Sequence, residues 1–271
     1  MKTRILAAAV LLPLLLVIVI FAPTVCVAIL FGIMSVIAVW ELLAVTGLVK
    51  HKTLIGITMV PAFLIAMWSY SGASMGYLML IILGTYIALF VLMMLDQENI
   101  SFSQIAMCMV AGILIPILLC SLVRIFCGRS GRYLIFTAFV AAFLSDTGAY
   151  FVGCAFGRHK LAPTISPKKT VEGMAGGVLA AVVGMLIYCV LMHFAFGFRV
   201  NYGYALVYGV FGALSGVFGD LSFSVIKRQT GIKDYGNLIP GHGGILDRFD
   251  SMMAVGPMME ILLAFLPIAV K

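Results

Sequence analysis

Charge is what this sequence lacks. Only 10% of its 271 residues are Asp, Glu, Lys or Arg, against about 25% in a soluble domain. So few charges cannot clothe a water-facing surface, which excludes a soluble globular protein. Thiolate metal chemistry is missing too: the six cysteines form no Cys-x-x-Cys pair, and most sit inside apolar runs, where Cys packs as a small hydrophobe. There is no GxxxxGK[ST] phosphate loop and no motif of a Ser-His-Asp hydrolase. The net charge is +7, but no basic tract with interleaved aromatics accompanies it, so nucleic acid is not expected as a partner. Basic loops that fix topology and meet anionic lipid account for the charge more simply.

What the chain has is apolar length. A helix needs about 20 apolar residues to cross a bilayer core of roughly 30 Å. The runs and their Gly/Pro punctuation predict nine helices, near 5–22, 25–46, 53–70, 75–95, 104–123, 133–156, 172–197, 204–228 and 250–269. The expected fold is therefore an all-α integral membrane protein, a polytopic bundle of about nine transmembrane helices. The first run follows Met1-Lys-Thr-Arg without a convincing cleavage site and reads as a membrane helix, not a removed leader. Most Lys and Arg fall on one side if the N-terminus is cytoplasmic, which also puts loops 157–171 and 228–249 on the cytoplasmic side. The cluster Arg124, Arg129, Arg132 runs against that bias. Residues 1–130 read as a scaffold, and 131–271 as the part that carries a cytoplasmic-side site.

The chain has only ten acidic residues, and several fall in spans. An ionisable group there is costly and marks a functional site by default, with a buried ion pair or snorkelling as the plain alternative. For Glu41 and Glu260 the two readings balance. Asp146 and Asp220 have company. Asp146 lies in Ser145-Asp146-Thr147, with Tyr150 one turn on. After it comes Ser166-Pro167-Lys168-Lys169-Thr170-Val171-Glu172-Gly173. Thr170 suits a helix cap and Glu172 a first turn. Lys168 and Lys169 before that helix make an anion cradle. Asp220, Ser224 and Lys227 are spaced to share one helix face. The densest charge follows, from Lys227 to Asp250, around Pro240-Gly241-His242-Gly243-Gly244. Its glycines permit unusual backbone angles and close approach of a ligand. Asp247 and Asp250 can share a face.

Oxygen ligands without thiolates point to Mg²⁺. Basic residues and a Gly-rich loop point to phosphate, and the combination to phosphoryl or nucleotidyl transfer. His242 is either a general base or, more commonly for a lone loop His, a phosphate contact.

The run Ser224-x2-Lys227-Arg228-x4-Lys233-Asp234-x-Gly236-x3-Pro240-x-His242-Gly243-Gly244-x2-Asp247-Arg248-x-Asp250 resembles the signature of the phosphatidate cytidylyltransferases, also called CDP-diacylglycerol synthases. Ser145-Asp146-Thr147 and the 166–173 segment are similar to that family as well, whereas the first hundred or so residues match only in hydrophobicity. The resemblance implies the reaction of CTP with phosphatidic acid to give CDP-diacylglycerol and pyrophosphate. It implies a two-metal Mg²⁺ centre held by aspartates, a homodimer in contact with membrane lipids, and a place in the cell membrane. Carried over by position, Asp220 and Asp247 are metal ligands, with Asp146 and Asp250 in support. Lys227, Arg228, His242 and Arg248 join the two main aspartates as catalytic residues. Lys168, Lys169, Ser224, Lys233, Asp234, Gly243 and Gly244 are substrate-binding. Two readings compete: a CTP-dependent polyprenol or phytol kinase, which would want a base for its hydroxyl nucleophile, and an ion-coupled transporter, which would want paired broken helices in two halves.

Overall fold

The computed structural model describes residues 17–238 and 243–270. Most of the expected first span lies outside the described residues; its end, 17–21, is helical. Seven described helices are long and apolar enough to cross a membrane: α1 (Thr24–Val45), α2 (Lys52–Ser71), α3 (Met75–Leu95), α4 (Phe102–Cys127), α5 (Gly131–Phe156), α6 (Val171–Phe196) and α7 (Tyr202–Gln229). At about 1.5 Å per residue each covers about 30 Å or more. The chain is thus an all-α polytopic membrane protein. Two shorter helices follow, α8 (Leu246–Phe249) and α9 (Met252–Phe265).

Local chemistry explains the ends. Ser101 and Gln104 form a reciprocal capping box at the start of α4. α2 and α6 stop at Gly72 and Gly197, both left-handed (φ 63° and 69°), the conformation that closes a helix cheaply only at glycine. α1 ends in a π turn at Glu41–Val45, and α4 carries another at Val110–Leu114, just before Pro116. Proline cannot donate to the carbonyl four residues back, and a widened turn accommodates it.

The expected last span, 250–269, is corrected. α9 has 14 residues, about 21 Å of helix, short of a bilayer core. Pro267 disfavours the helical conformation at Leu266, which sits at φ −132°, ψ 68°. The chain then runs extended as β4 (Ala269–Val270), antiparallel to β3 (Arg199–Val200). The Asn201 N–H donates to the Ile268 carbonyl (2.9 Å) and the Tyr208 hydroxyl to that of Leu266 (3.0 Å). The segment after α5 is also more regular than a loop: β1 (Lys160–Ala162) pairs antiparallel with β2 (Ser166–Thr170).

The chain divides into two compact units, Met1–Arg124 with Lys227–Phe249, and Ile125–Ile226 with Asp250–Lys271. In the first, α1 packs on α2, and Gly112 of α4 meets Thr58 and Pro61 of α2. In the second, α5 and α6 pack backbone against backbone through small residues, as membrane helices do. A methyl group at Gly148 would overlap the Ala180 side chain and stand 2.8 Å from the Gly176 carbonyl; one at Gly177 would stand 2.6 Å from the Ser145 carbonyl. Gly148→Ala is therefore expected to destabilise by about 1–3 kcal/mol, the usual cost of overpacking. The check is the midpoint of thermal unfolding in detergent, and an unchanged midpoint would count against this helix contact.

Candidate active site

In the second unit, the α5–β1–β2–α6 segment presents charge at the ends of two apolar helices. Thr170 closes β2 and caps α6, its hydroxyl accepting from the Gly173 N–H (3.1 Å). Glu172, in the first turn of α6, accepts the backbone N–H of Arg158 (3.1 Å) and of His159 (3.2 Å), tying the hairpin to the helix. With the hairpin so held, β2 carries the two lysines. Lys169 ion-pairs with Asp220 of α7. The Ser224 hydroxyl, one turn along α7, donates to the other oxygen of Asp220 (3.3 Å). Asp146 of α5 is exposed and interacts electrostatically with both Lys169 and Asp220. An open cavity of about 200 Å³ lies among these elements, and Asp146, Tyr150, Lys168 and Lys169 line it. Small-molecule pockets run to roughly 300–1,000 Å³, so this one suits a phosphate-sized group and its counter-ion. Asp250, also in this unit, accepts the N–H of Ser251 (2.8 Å).

In the first unit, the segment after α7 folds around Asp247. This carboxylate is buried, at 7% exposure. Its Oδ1 accepts from Lys227 Nζ (2.9 Å), and its Oδ2 from the N–H groups of Tyr235 (2.7 Å) and Gly244 (3.0 Å). The Lys227 ammonium also stands 5.4 Å from the centre of the Tyr235 ring, within reach of a cation–π attraction. Gly243 has φ +84°, where a side chain would be strained. Arg228, Lys233, Asp234 and Arg248 are exposed. His242 lies outside the described residues.

The structure thus groups Asp146, Lys168, Lys169, Asp220 and Ser224 in one cluster, and Lys227, Gly244 and Asp247 in another. Sequence reasoning gave Glu41 no partner. It is 1% exposed and accepts the N–H groups of Ile245 (2.9 Å) and Leu246 (2.8 Å) beside Asp247. The one available signal was its cost, a glutamate inside an apolar helix.

The profile of the cytidylyltransferase family matches residues 2–266, nearly the whole chain. The chain belongs to the cytidylyltransferase family. Among similar family members, a protein named phosphatidate cytidylyltransferase from Staphylococcus haemolyticus is 41% identical over 170 residues, 62% of this chain and 63% of that protein. One of the same name from Staphylococcus aureus is 40% identical over the same shares. The match therefore spans less than two thirds of the length of these staphylococcal relatives. A third of that name, from Bacillus subtilis, is 37% identical over 235 residues, 85% of this chain and 86% of that protein.

For this cytidylyltransferase-family chain the donor set fits Mg²⁺. Among the described residues no three His, Cys, Asp or Glu side chains gather as a metal cage. Mg²⁺ does not need one: it takes one or two carboxylates and fills the rest of its octahedron with water and substrate phosphates. Asp146 and Asp220 supply such a pair of hard oxygen donors. Asp247 has three donors on a carboxylate with about four acceptor sites, which leaves one site on Oδ1.

Proposed function

We propose that the protein transfers the cytidylyl group of CTP to the phosphate of phosphatidic acid, giving CDP-diacylglycerol and pyrophosphate. The observation that carries the reading is the Lys169–Asp220 pair beside Asp146 at a phosphate-sized cavity, in a chain of the cytidylyltransferase family. The relatives named phosphatidate cytidylyltransferase support the substrate pair.

In the step we propose, an oxygen of the lipid phosphate attacks the α-phosphorus of CTP. A P–O bond forms there, the bond to the β-phosphate bridging oxygen breaks, and pyrophosphate leaves with that electron pair. A phosphate monoester has its second pKa near 6, so the nucleophile is largely dianionic at neutral pH and needs no strong base. The obstacle is repulsion between two polyanions. Asp146 and Asp220 of the second unit would hold Mg²⁺, which would supply charge neutralisation and in-line orientation of phosphates. Ser224 orients Asp220. Lys169, which pairs with Asp220 and lines the cavity, would offset the charge of a phosphate bound there. Lys168, exposed at the same cavity, is a second phosphate contact. Lys227, fixed by Asp247, and the exposed Arg228, Lys233 and Arg248 add positive charge in the first unit.

The acyl chains stay in the bilayer while CTP comes from water, which suits a site at the cytoplasmic interface of the cell membrane; the basic loops favour that side. A homodimer rests on the resemblance alone. The test is purified protein in detergent with labelled CTP. Label is expected in a lipid-extractable product only when phosphatidic acid and Mg²⁺ are both present. Label transferred to a free lipid alcohol instead would overturn the reading in favour of a kinase.

A further inference from the structure

We infer that Glu41 is a positioning residue that holds the Asp247 loop in its working shape. Glu41 opens the π turn that ends α1, and π turns inside helices recur at functional sites. Its two oxygens accept separately, Oε1 from the Ile245 N–H (2.9 Å) and Oε2 from the Leu246 N–H (2.8 Å). These donors stand at the start of α8, where backbone N–H groups have no intrahelical partner. Ile245 and Leu246 are buried, so without the carboxylate the two N–H groups would be orphaned out of water.

The loop is cut to fit this carboxylate. A Cβ at Gly244 would overlap both Glu41 oxygens, and one at Gly236 would stand 2.8 Å from Oε1. Two of the loop's glycines thus make room for Glu41. The same backbone then turns to Asp247: the Gly244 N–H and that of Tyr235, next to Gly236, both donate to Oδ2. Asp247 in turn fixes Lys227. Three successive N–H groups are thus held by two carboxylates, Gly244 by Asp247 and Ile245 and Leu246 by Glu41, which lies on a helix some 200 positions away in sequence. Burying a carboxylate is expensive, and a plain helix contact would need only an aliphatic side chain.

The catalytic half of this inference rests on the function proposed above, so its test has two arms. In the first, amide hydrogen exchange is followed in peptides covering 243–249 in Glu41→Ala and Glu41→Gln. Exchange there is expected to rise about tenfold or more in the alanine variant and less in the glutamine variant, which keeps one acceptor oxygen; peptides from α5 and α6 are expected to stay unchanged. In the second, kcat per folded enzyme is measured in monodisperse fractions, with CTP and phosphatidic acid. Glu41→Ala is expected to lose about 10²-fold, the cost of roughly 1 Å of misplacement, with Glu41→Gln between it and the unaltered protein. Should Glu41→Ala not fold, the glutamine variant decides both arms. Unchanged exchange at 243–249 overturns the inference, as does a kcat within twofold of the unaltered enzyme. An unaltered protein inert toward CTP and phosphatidic acid overturns the proposed function instead, and the exchange arm still judges Glu41.

Discussion

Asp220→Asn is expected to lower kcat by at least about 10²-fold while leaving the protein folded. The scale is that of one electrostatic contact removed from a transition state. The substitution keeps the shape and an oxygen that can accept from Ser224. It removes the charge that faces Lys169 and, on the function proposed above, one of the two carboxylates that would hold Mg²⁺. Stability is expected to change little. The Lys169 and Asp220 side chains remain 25% and 29% exposed, and pairs with such access to water contribute only about 0–1 kcal/mol. The result should therefore be an inactive protein with a near-normal unfolding midpoint and a raised Mg²⁺ requirement. A kcat within threefold of the unaltered enzyme would refute Asp220 as a metal ligand.

Asp247 is expected to behave differently because it is buried. The side chains of Lys227 and Asp247 are 12% and 2% exposed. Removing one partner of a buried pair typically costs about 3–5 kcal/mol, since the other charge stays behind. Asp247→Ala also strands the Tyr235 and Gly244 N–H groups. Activity and stability are expected to fall together, the latter seen as a lower unfolding midpoint and a poorer detergent-soluble yield. The double variant Lys227→Met/Asp247→Leu separates the two effects. Replacing a buried pair by apolar groups is often neutral or stabilising, so the double variant should unfold at a higher temperature than Asp247→Ala yet stay inactive. Recovered activity in the double variant would mean that the pair serves the fold alone.

The apolar helices were legible because burial in lipid demands about 20 uninterrupted apolar residues, a long signal in a short alphabet. The last helix was overestimated because Pro267 and the β3–β4 pairing act on only a few residues, too few to register against an apolar run that continues to Ile268. The β1–β2 hairpin was missed for the same reason: strands of three and five residues have no period to detect. At the site, the residue types were readable and the partnerships were not. Spacing puts Ser224 one turn from Asp220. It says nothing of Lys169 meeting Asp220 or of Glu41 meeting Ile245, contacts that join distant parts of the chain. The glycines illustrate the limit most clearly. A Gly-rich stretch reads as room for a ligand, whereas Gly236 and Gly244 make room for Glu41.

The central claim is that the nucleotide, not a single phosphoryl group, is transferred to a lipid phosphate. The most direct measurement is the fate of two labels in parallel reactions of purified protein with phosphatidic acid and Mg²⁺. CTP labelled at the α-phosphate should pass its label into the lipid-extractable product, while CTP labelled at the γ-phosphate should release all of it as water-soluble pyrophosphate. Label from the γ-phosphate in the lipid fraction, with none from the α-phosphate, would contradict the account.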